Sequence, residues 1–216
     1  GAYEYAGDFC FVQVDSDPFT SSADGSALVT AVNAASGNPT IKVAGLCIAA
    51  NTTIGIGRDM TLQGGYGFNL DGTPDFSASD PAANETIIDA NNAGRVLNVG
   101  GTVTVDGLTI RNGDSGSSAG GGISNTGTLT ISNSIITGNS ARIGGGISNL
   151  GGIGVGNLTI RNSIITGNST NSSLSSGGGI NNTAGTLTIS NSTIAGNSTG
   201  SSGSGGGINN LGTLTI

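Results

Sequence analysis

The chain has 216 residues, with 41 glycines, 9% charged residues, no histidine, no tryptophan and a formal net charge of −7. Six Lys and Arg in total are too few to build a phosphate-binding surface, which excludes nucleic acid as a partner. The lack of histidine excludes histidine triads and His-ligated zinc, and no apolar run reaches the roughly 18 residues of a membrane-spanning helix.

Residues 1–25 carry Asp8, Asp15, Asp17 and Asp24 among small and aromatic residues, punctuated by Pro18 and Gly25. They read as an irregular leader with one short strand over 11–14. From Ser26 to Ser36, Leu28, Val29, Val32 and Ala35 recur at helical spacing and Gly37 stops the pattern, which predicts the single helix. Residues 1–39 are therefore expected to cap the strands downstream, because the first coil of a solenoid otherwise exposes apolar side chains and strand edges. Cys10 and Cys47 are the only cysteines. They form a disulfide or stay as two buried thiols; a bridge would contribute about 3–4 kcal/mol by constraining the unfolded chain and would suit an oxidising, extracellular setting. No signal peptide is visible, as expected of a processed chain.

After Pro39 the texture changes to short alternating runs at 40–43, 53–56 and 59–62, each bounded by Gly or Asn, which reads as strands with one buried face. Residues 64–84, with Gly64-Gly65-Tyr66-Gly67 and an Asp-rich part through Pro74 and Pro81, read as one long loop. Strands resume at 86–89, 95–97 and 102–105.

From Gly120 onward one phrase is written four times, beginning at Gly120, Gly144, Gly177 and Gly205. It runs Gly-Gly-Gly-Ile-(Ser/Asn)-Asn, then Leu-Thr-Ile, then Ile-x-Gly-Asn-Ser. The segment 95–113 aligns on 121–139 without a gap, so the repeat begins upstream of the triplets. A period of this size with strand-like fragments marks a solenoid. Three short strands per coil would stack the aliphatic residues into columns, with coils about 4.8 Å apart. Asparagines align too: Asn125, Asn149, Asn182 and Asn210; Asn133, Asn162 and Asn191; Asn139, Asn168 and Asn197. Amide ladders at the corners are favoured over glycosylation at the sequons Asn157-Leu-Thr and Asn168-Ser-Thr. Insertions at 152–156, 170–176 and 199–204 lengthen turns only. The pattern stops in mid-coil at Ile216, so either more chain follows or the open end stacks on another subunit.

The Gly145-Gly146-Ile147 and Ile136-Thr137-Gly138-Asn139 elements, with their copies, resemble right-handed parallel β-helix proteins of the pectate-lyase-like class. More narrowly they resemble the repeats of bacterial surface proteins, including chlamydial polymorphic outer membrane proteins, with Ile where that family has Phe. The piece from Gly64-Gly65-Tyr66 to Asp106-Gly107-Leu108-Thr109-Ile110-Arg111-Asn112-Gly113 is similar to secreted bacterial β-helix proteins. The resemblance covers roughly 40–216 and implies an all-β, right-handed parallel β-helix; it is specific for architecture rather than activity.

Catalysis on such a fold needs paired carboxylates, or calcium-binding acids with a catalytic Arg or Lys. Between Gly120 and Ile216 the only charges are Arg142 and Arg161, so the expectation is a non-enzymatic protein. Asp106 and Asp114 are the acids nearest the repeats, and Asp106 is expected to face solvent. Calcium is conceivable at Asp15, Asp17 and Asp24, or at Asn69, Asp71 and Asp75. Thr-x-Thr strands at 102/104, 128/130, 186/188 and 213/215, with Asn157 beside Thr159, would align hydroxyls on one outward face, like the ice-binding face of some β-helical antifreeze proteins; Thr is also simply a good exposed strand residue. The expected role is a secreted or cell-surface stalk, adhesin or layer element that contacts glycans, other surface proteins or copies of itself. The alternative is a carbohydrate-binding or carbohydrate-active β-helix that uses the 64–84 segment.

Overall fold

A computed structural model describes residues 9–151, 156–173 and 175–216; the insertion at 152–155 and Asp8 lie outside them. The chain winds through three faces in turn. The first face holds the start of Thr40–Ile48, then Met60–Gln63, Thr102–Asp106, Thr128–Ser132, Asn157–Arg161, Thr186–Ser190 and Thr213–Thr215. The second holds the end of Thr40–Ile48, then Ile87–Asp89, Thr109–Arg111, Ile135–Thr137, Ile164–Thr166 and Thr193–Ala195. The third holds Ile54–Ile56, Leu97–Val99, Ile123–Asn125, Ile147–Asn149, Ile180–Asn182 and Ile208–Asn210. Successive coils pair in parallel on every face, giving a right-handed parallel β-helix, the hand that nearly all parallel crossovers take.

Each face sends one side of its strands inward. Leu62, Val105, Ile131, Ile160 and Ile189 stand in register on the first face, Ile88, Ile110, Ile136 and Ile165 on the second, and Leu97, Ile123, Ile147 and Ile180 on the third. All are buried in one continuous core. A second inward column on the third face begins as Ile56 and Val99 and becomes Asn125, Asn149, Asn182 and Asn210. These amides bond along the axis, Asn125 Nδ2 to Asn149 Oδ1 at 2.7 Å, Asn149 to Asn182 at 2.7 Å and Asn182 to Asn210 at 2.6 Å. A second ladder joins Asn139 to Asn168 at 2.9 Å and Asn168 to Asn197 at 3.0 Å, and its top oxygen accepts from the Gly113 N–H at 2.8 Å. A buried amide is tolerated because every rung satisfies the next.

The corners follow from backbone sterics. Asn133, Asn162 and Asn191 turn the chain from first to second face with φ of 50°, 49° and 46°, the left-handed region that Asn enters more readily than other side chains. Asn162 Nδ2 reaches Asn133 Oδ1 at 3.4 Å, a looser rung than those in the core. Serines one residue later, repeated with the corner Asn in each copy, form a further ladder: Leu108 N–H donates to Ser134 Oγ, Ser134 N–H to Ser163 Oγ and Ser163 N–H to Ser192 Oγ, at 3.2, 3.2 and 3.1 Å. The glycine triplets are places of backbone contact, since a Cβ on Gly121 would lie 2.2 Å from Ser140 O and one on Gly145 2.1 Å from Ser169 O.

The N-terminal end is closed by Cys10–Val14, antiparallel to Thr40–Ile48, with Thr20–Ser22 beyond it. The helix Ser26–Ala34 buries Ala27, Leu28 and Val32. It ends two residues earlier than the pattern suggests, because Ala35 has already turned to ψ 144°. Cys10 and Cys47 are joined by a disulfide, and Cys47 tops the column of Ile88. The first solenoid strand is longer than expected: it runs to Ile48 by bending at Gly45 (φ 80°) from the first face into the second.

The segment 64–84 is not a plain loop. Tyr66–Phe68 and Pro74–Ser79 pair antiparallel, and the hairpin packs Tyr66, Phe68 and Phe76 against Ala44 and Phe11. Phe11 lies 5.6 Å from Phe68 and Tyr66 5.1 Å from Phe76, both edge-on. The runs are short and one begins with Pro74, so no period-two pattern announces them.

Replacing Asn149 by Ala strands a donor on Asn125 and an acceptor on Asn182, and denaturant unfolding should show a loss of about 2–4 kcal/mol. The Cys10→Ser/Cys47→Ser double variant should lose up to about 3–4 kcal/mol in the same assay, with the wild type under reducing conditions approaching it.

Candidate binding groove

The hairpin returns to the solenoid at Asp80–Pro81 and lays Pro81 on the corner between first and second faces. Gly107 occupies the place that Asn133 and Asn162 take in later coils, and a Cβ there would meet Pro81 Cγ at 2.5 Å. Glycine at this corner is thus a condition for the hairpin's return. Below Pro81 the outward side of the second face is apolar: Ile135 is half-buried and Ile164 is 42% exposed. Asn133 and Asn162 form one rim. The space between is an open groove of about 420 Å³, lined also by Asp80, Ala82 and Ser134. A smaller recess of about 160 Å³, reaching Glu85 and Thr109, shares Pro81, Asn133 and Ile135 with it.

The carboxylates here are all engaged in holding the walls. Asp80 Oδ1 accepts from the N–H of Ala82 at 3.1 Å, Glu85 Oε1 from Thr109 Oγ1 at 3.2 Å, and Asp106 from Asn133 Nδ2 at 2.8 Å and Gln63 Nε2 at 3.3 Å. Asp106, expected to face solvent, is half-buried within these contacts. On the far side of the face, Arg111 Nε donates to Asp89 Oδ2 at 2.7 Å, and Asp89 also accepts from Asn91 N–H and Asn112 Nδ2. Burial pushes the Asp89 carboxyl up, but the bonds from Arg111, Asn91 and Asn112 outweigh it and hold it below the ordinary carboxylate range.

The six calcium candidates are not gathered into a site. Asp15 Oδ1 accepts from Thr40 N–H at 2.8 Å, Asp24 Oδ1 from Ser26 N–H at 2.9 Å, Asp71 Oδ1 from Thr73 N–H at 3.0 Å and Asp75 Oδ1 from Ser77 N–H at 2.9 Å, while Asn69 donates to Thr73 Oγ1 and Asp17 offers its backbone carbonyl to Gln13. Hydrogen bonds from Ser26, Thr73 and Ser77 lower the carboxyls of Asp24, Asp71 and Asp75 respectively. Among the described residues no three Asp, Glu or Cys side chains come together to hold an ion. Asp24, Asp71 and Asp75 close local turns, a commoner use of Asp-x-Ser and Asp-x-Thr than metal binding, while Asp15 ties the leader to Thr40.

No motif announces the groove floor, although a signal exists. Ile135-Ile136 and Ile164-Ile165 are adjacent pairs on single strands, and alternation forces one of each pair outward. The Thr-x-Thr strands do align, Thr102 with Thr128, Asn157, Thr186 and Thr213, and Thr104 with Thr130, Thr159, Thr188 and Thr215. The second column also extends two coils further back, to Thr61 and Thr40.

The chain matches no protein-family model, and no curated protein or solved structure matches it either. No helix among the described residues is long and apolar enough to cross a membrane.

Asp89 supplies a pH test. Its folded carboxyl is lowered, so its stabilising effect is full above the unfolded value of about 4 and is lost as pH falls through the folded one. Wild-type unfolding free energy should therefore drop more steeply below about pH 4 than that of Asp89→Asn, with the two curves converging in strong acid.

Proposed function

We propose that this is a non-catalytic, extracellular or cell-surface β-solenoid that adheres through its second face, taking a segment of a surface glycan along the groove beside Pro81. The observation that carries this reading is the groove's chemistry. Its floor is apolar, one rim is built of the neutral amides of Asn133 and Asn162, and each nearby carboxylate, Asp80, Glu85 and Asp106, accepts at least one hydrogen bond from the walls. Such a surface offers contact area and hydrogen bonds to a neutral polyhydroxylated ligand, without a free acid–base pair to act on it. The disulfide supports an oxidising compartment, and the repeat-level resemblance to bacterial surface β-helix proteins of the polymorphic outer membrane type supports a cell-surface setting.

A panel of soluble polysaccharides, assayed for both retention and product release, tests it. Retention without new reducing ends or unsaturated products is the expected outcome; product release would replace the adhesive reading with a lyase or hydrolase. Ile164→Asp, which puts a charge on the exposed floor, should weaken the retained glycan about tenfold or more, equivalent to about 1.4 kcal/mol, at unchanged melting temperature.

A further inference from the structure

The first face differs from the second in kind. The hairpin touches only its margin, at Lys42 and Gln63, and the rest of its outward side is a regular field of hydroxyls. The inner column is threonine in all seven strands, from Thr40 to Thr215. Beside it the outer column is threonine at four of five places, with Asn157 in the middle and Asp59 at the upstream edge. Apart from Asp59 at that edge, the charges of this face sit in the flanking third column, as Lys42, Asp106 and Arg161.

We propose that this face is a water-ordering surface that adsorbs to ice. Three observations carry it. Spacing comes first: rows about 4.8 Å apart between coils and about 6.6 Å apart along each strand approach the two oxygen repeats on a prism face of ordinary ice. Rigidity comes second: the array stands on strands pinned by two buried amide ladders and a serine ladder, so little side-chain or backbone freedom is lost on adsorption. Vacancy of the hydroxyls comes third: none of the threonine Oγ1 atoms in the two columns takes part in a hydrogen bond within the described protein, whereas Thr73, Thr86, Thr109, Thr126 and Thr170 elsewhere do.

Charge complementarity points the same way, because a neutral field flanked by charges fits a neutral lattice. A crystalline polysaccharide fits less well: such surfaces are gripped by aromatic rings stacked on sugar faces, and every described aromatic lies in or beside the hairpin cluster instead.

The test uses the whole chain. Purified protein is assayed for thermal hysteresis, for faceting of a growing ice crystal and for partition into a slowly grown ice hemisphere. The proposal requires all three in the wild type and their loss in Thr159→Lys, which puts a long charged side chain at the centre of the array. Thr128→Lys, in the outer column, is the second variant should the first not fold. Both must keep the wild-type melting temperature, and Asn98→Lys, exposed on the third face, must keep the activity. A wild type without hysteresis or faceting overturns the proposal, as does full activity in the folded Thr159→Lys or Thr128→Lys protein. Retention on crystalline cellulose or chitin without any effect on ice also overturns it. None of these outcomes bears on binding of soluble glycans at the second face.

Discussion

Each coil here is held to its neighbours in one register, and that register is what every other property rests on. A strand slipped by one residue would turn Leu129 and Ile131 to solvent and Thr130 to the core. Backbone ladders alone do not prevent this, since they look alike at every step. The asparagines do. Asn139 Nδ2 reaches both the Ile110 carbonyl on one side and Asn168 Oδ1 on the other, and a slipped coil would leave both of these buried groups unpaired. The cost of unmade bonds, more than the strength of made ones, selects the register.

The same constraint explains why the ends and the excursion look unlike the repeats. At the N-terminal end of the solenoid the first coil stacks on an antiparallel strand and a helix instead of on another coil, and a disulfide ties that strand to the column. The helix has no side-chain N-cap and no acidic residue in its first turn; its stability comes from burying Leu28 and Val32 over the first coil rather than from its own signals. The hairpin at 66–79 adds a small aromatic core outside the solenoid, and it needs Gly107 where later coils use Asn.

Columns were legible in the sequence because the repeat states them several times over. Three or four copies of Gly-Asn-Ser or Leu-Thr-Ile align by eye, and the structure keeps their spacing of 24 to 33 residues. What was hidden lies where that spacing breaks. Gln63 and Asp106 are coil neighbours yet 43 residues apart, because the hairpin is inserted between them, so Thr40 and Thr61 could not be lined up with Thr104. Gly107 could not be explained either, since its reason is Pro81 on a different coil. The groove was hidden for a related cause: its floor belongs to the repeat and its wall to the insertion, and neither part alone predicts a depression.

The acidic residues of this chain are also placed unevenly. All thirteen lie at or before Asp114, and beyond it the only charges are Arg142 and Arg161. For the eleven acids among the described residues, Asp15 to Asp114, coiling converts order in sequence into order along an axis, so the described chain is a rod about 30 Å long with a negative head and a faintly positive tail. Such a rod carries a dipole along its length. Within a Debye length, about 8 Å at physiological salt, an anionic surface repels the capped head and tolerates the repeats, which sets which end arrives first.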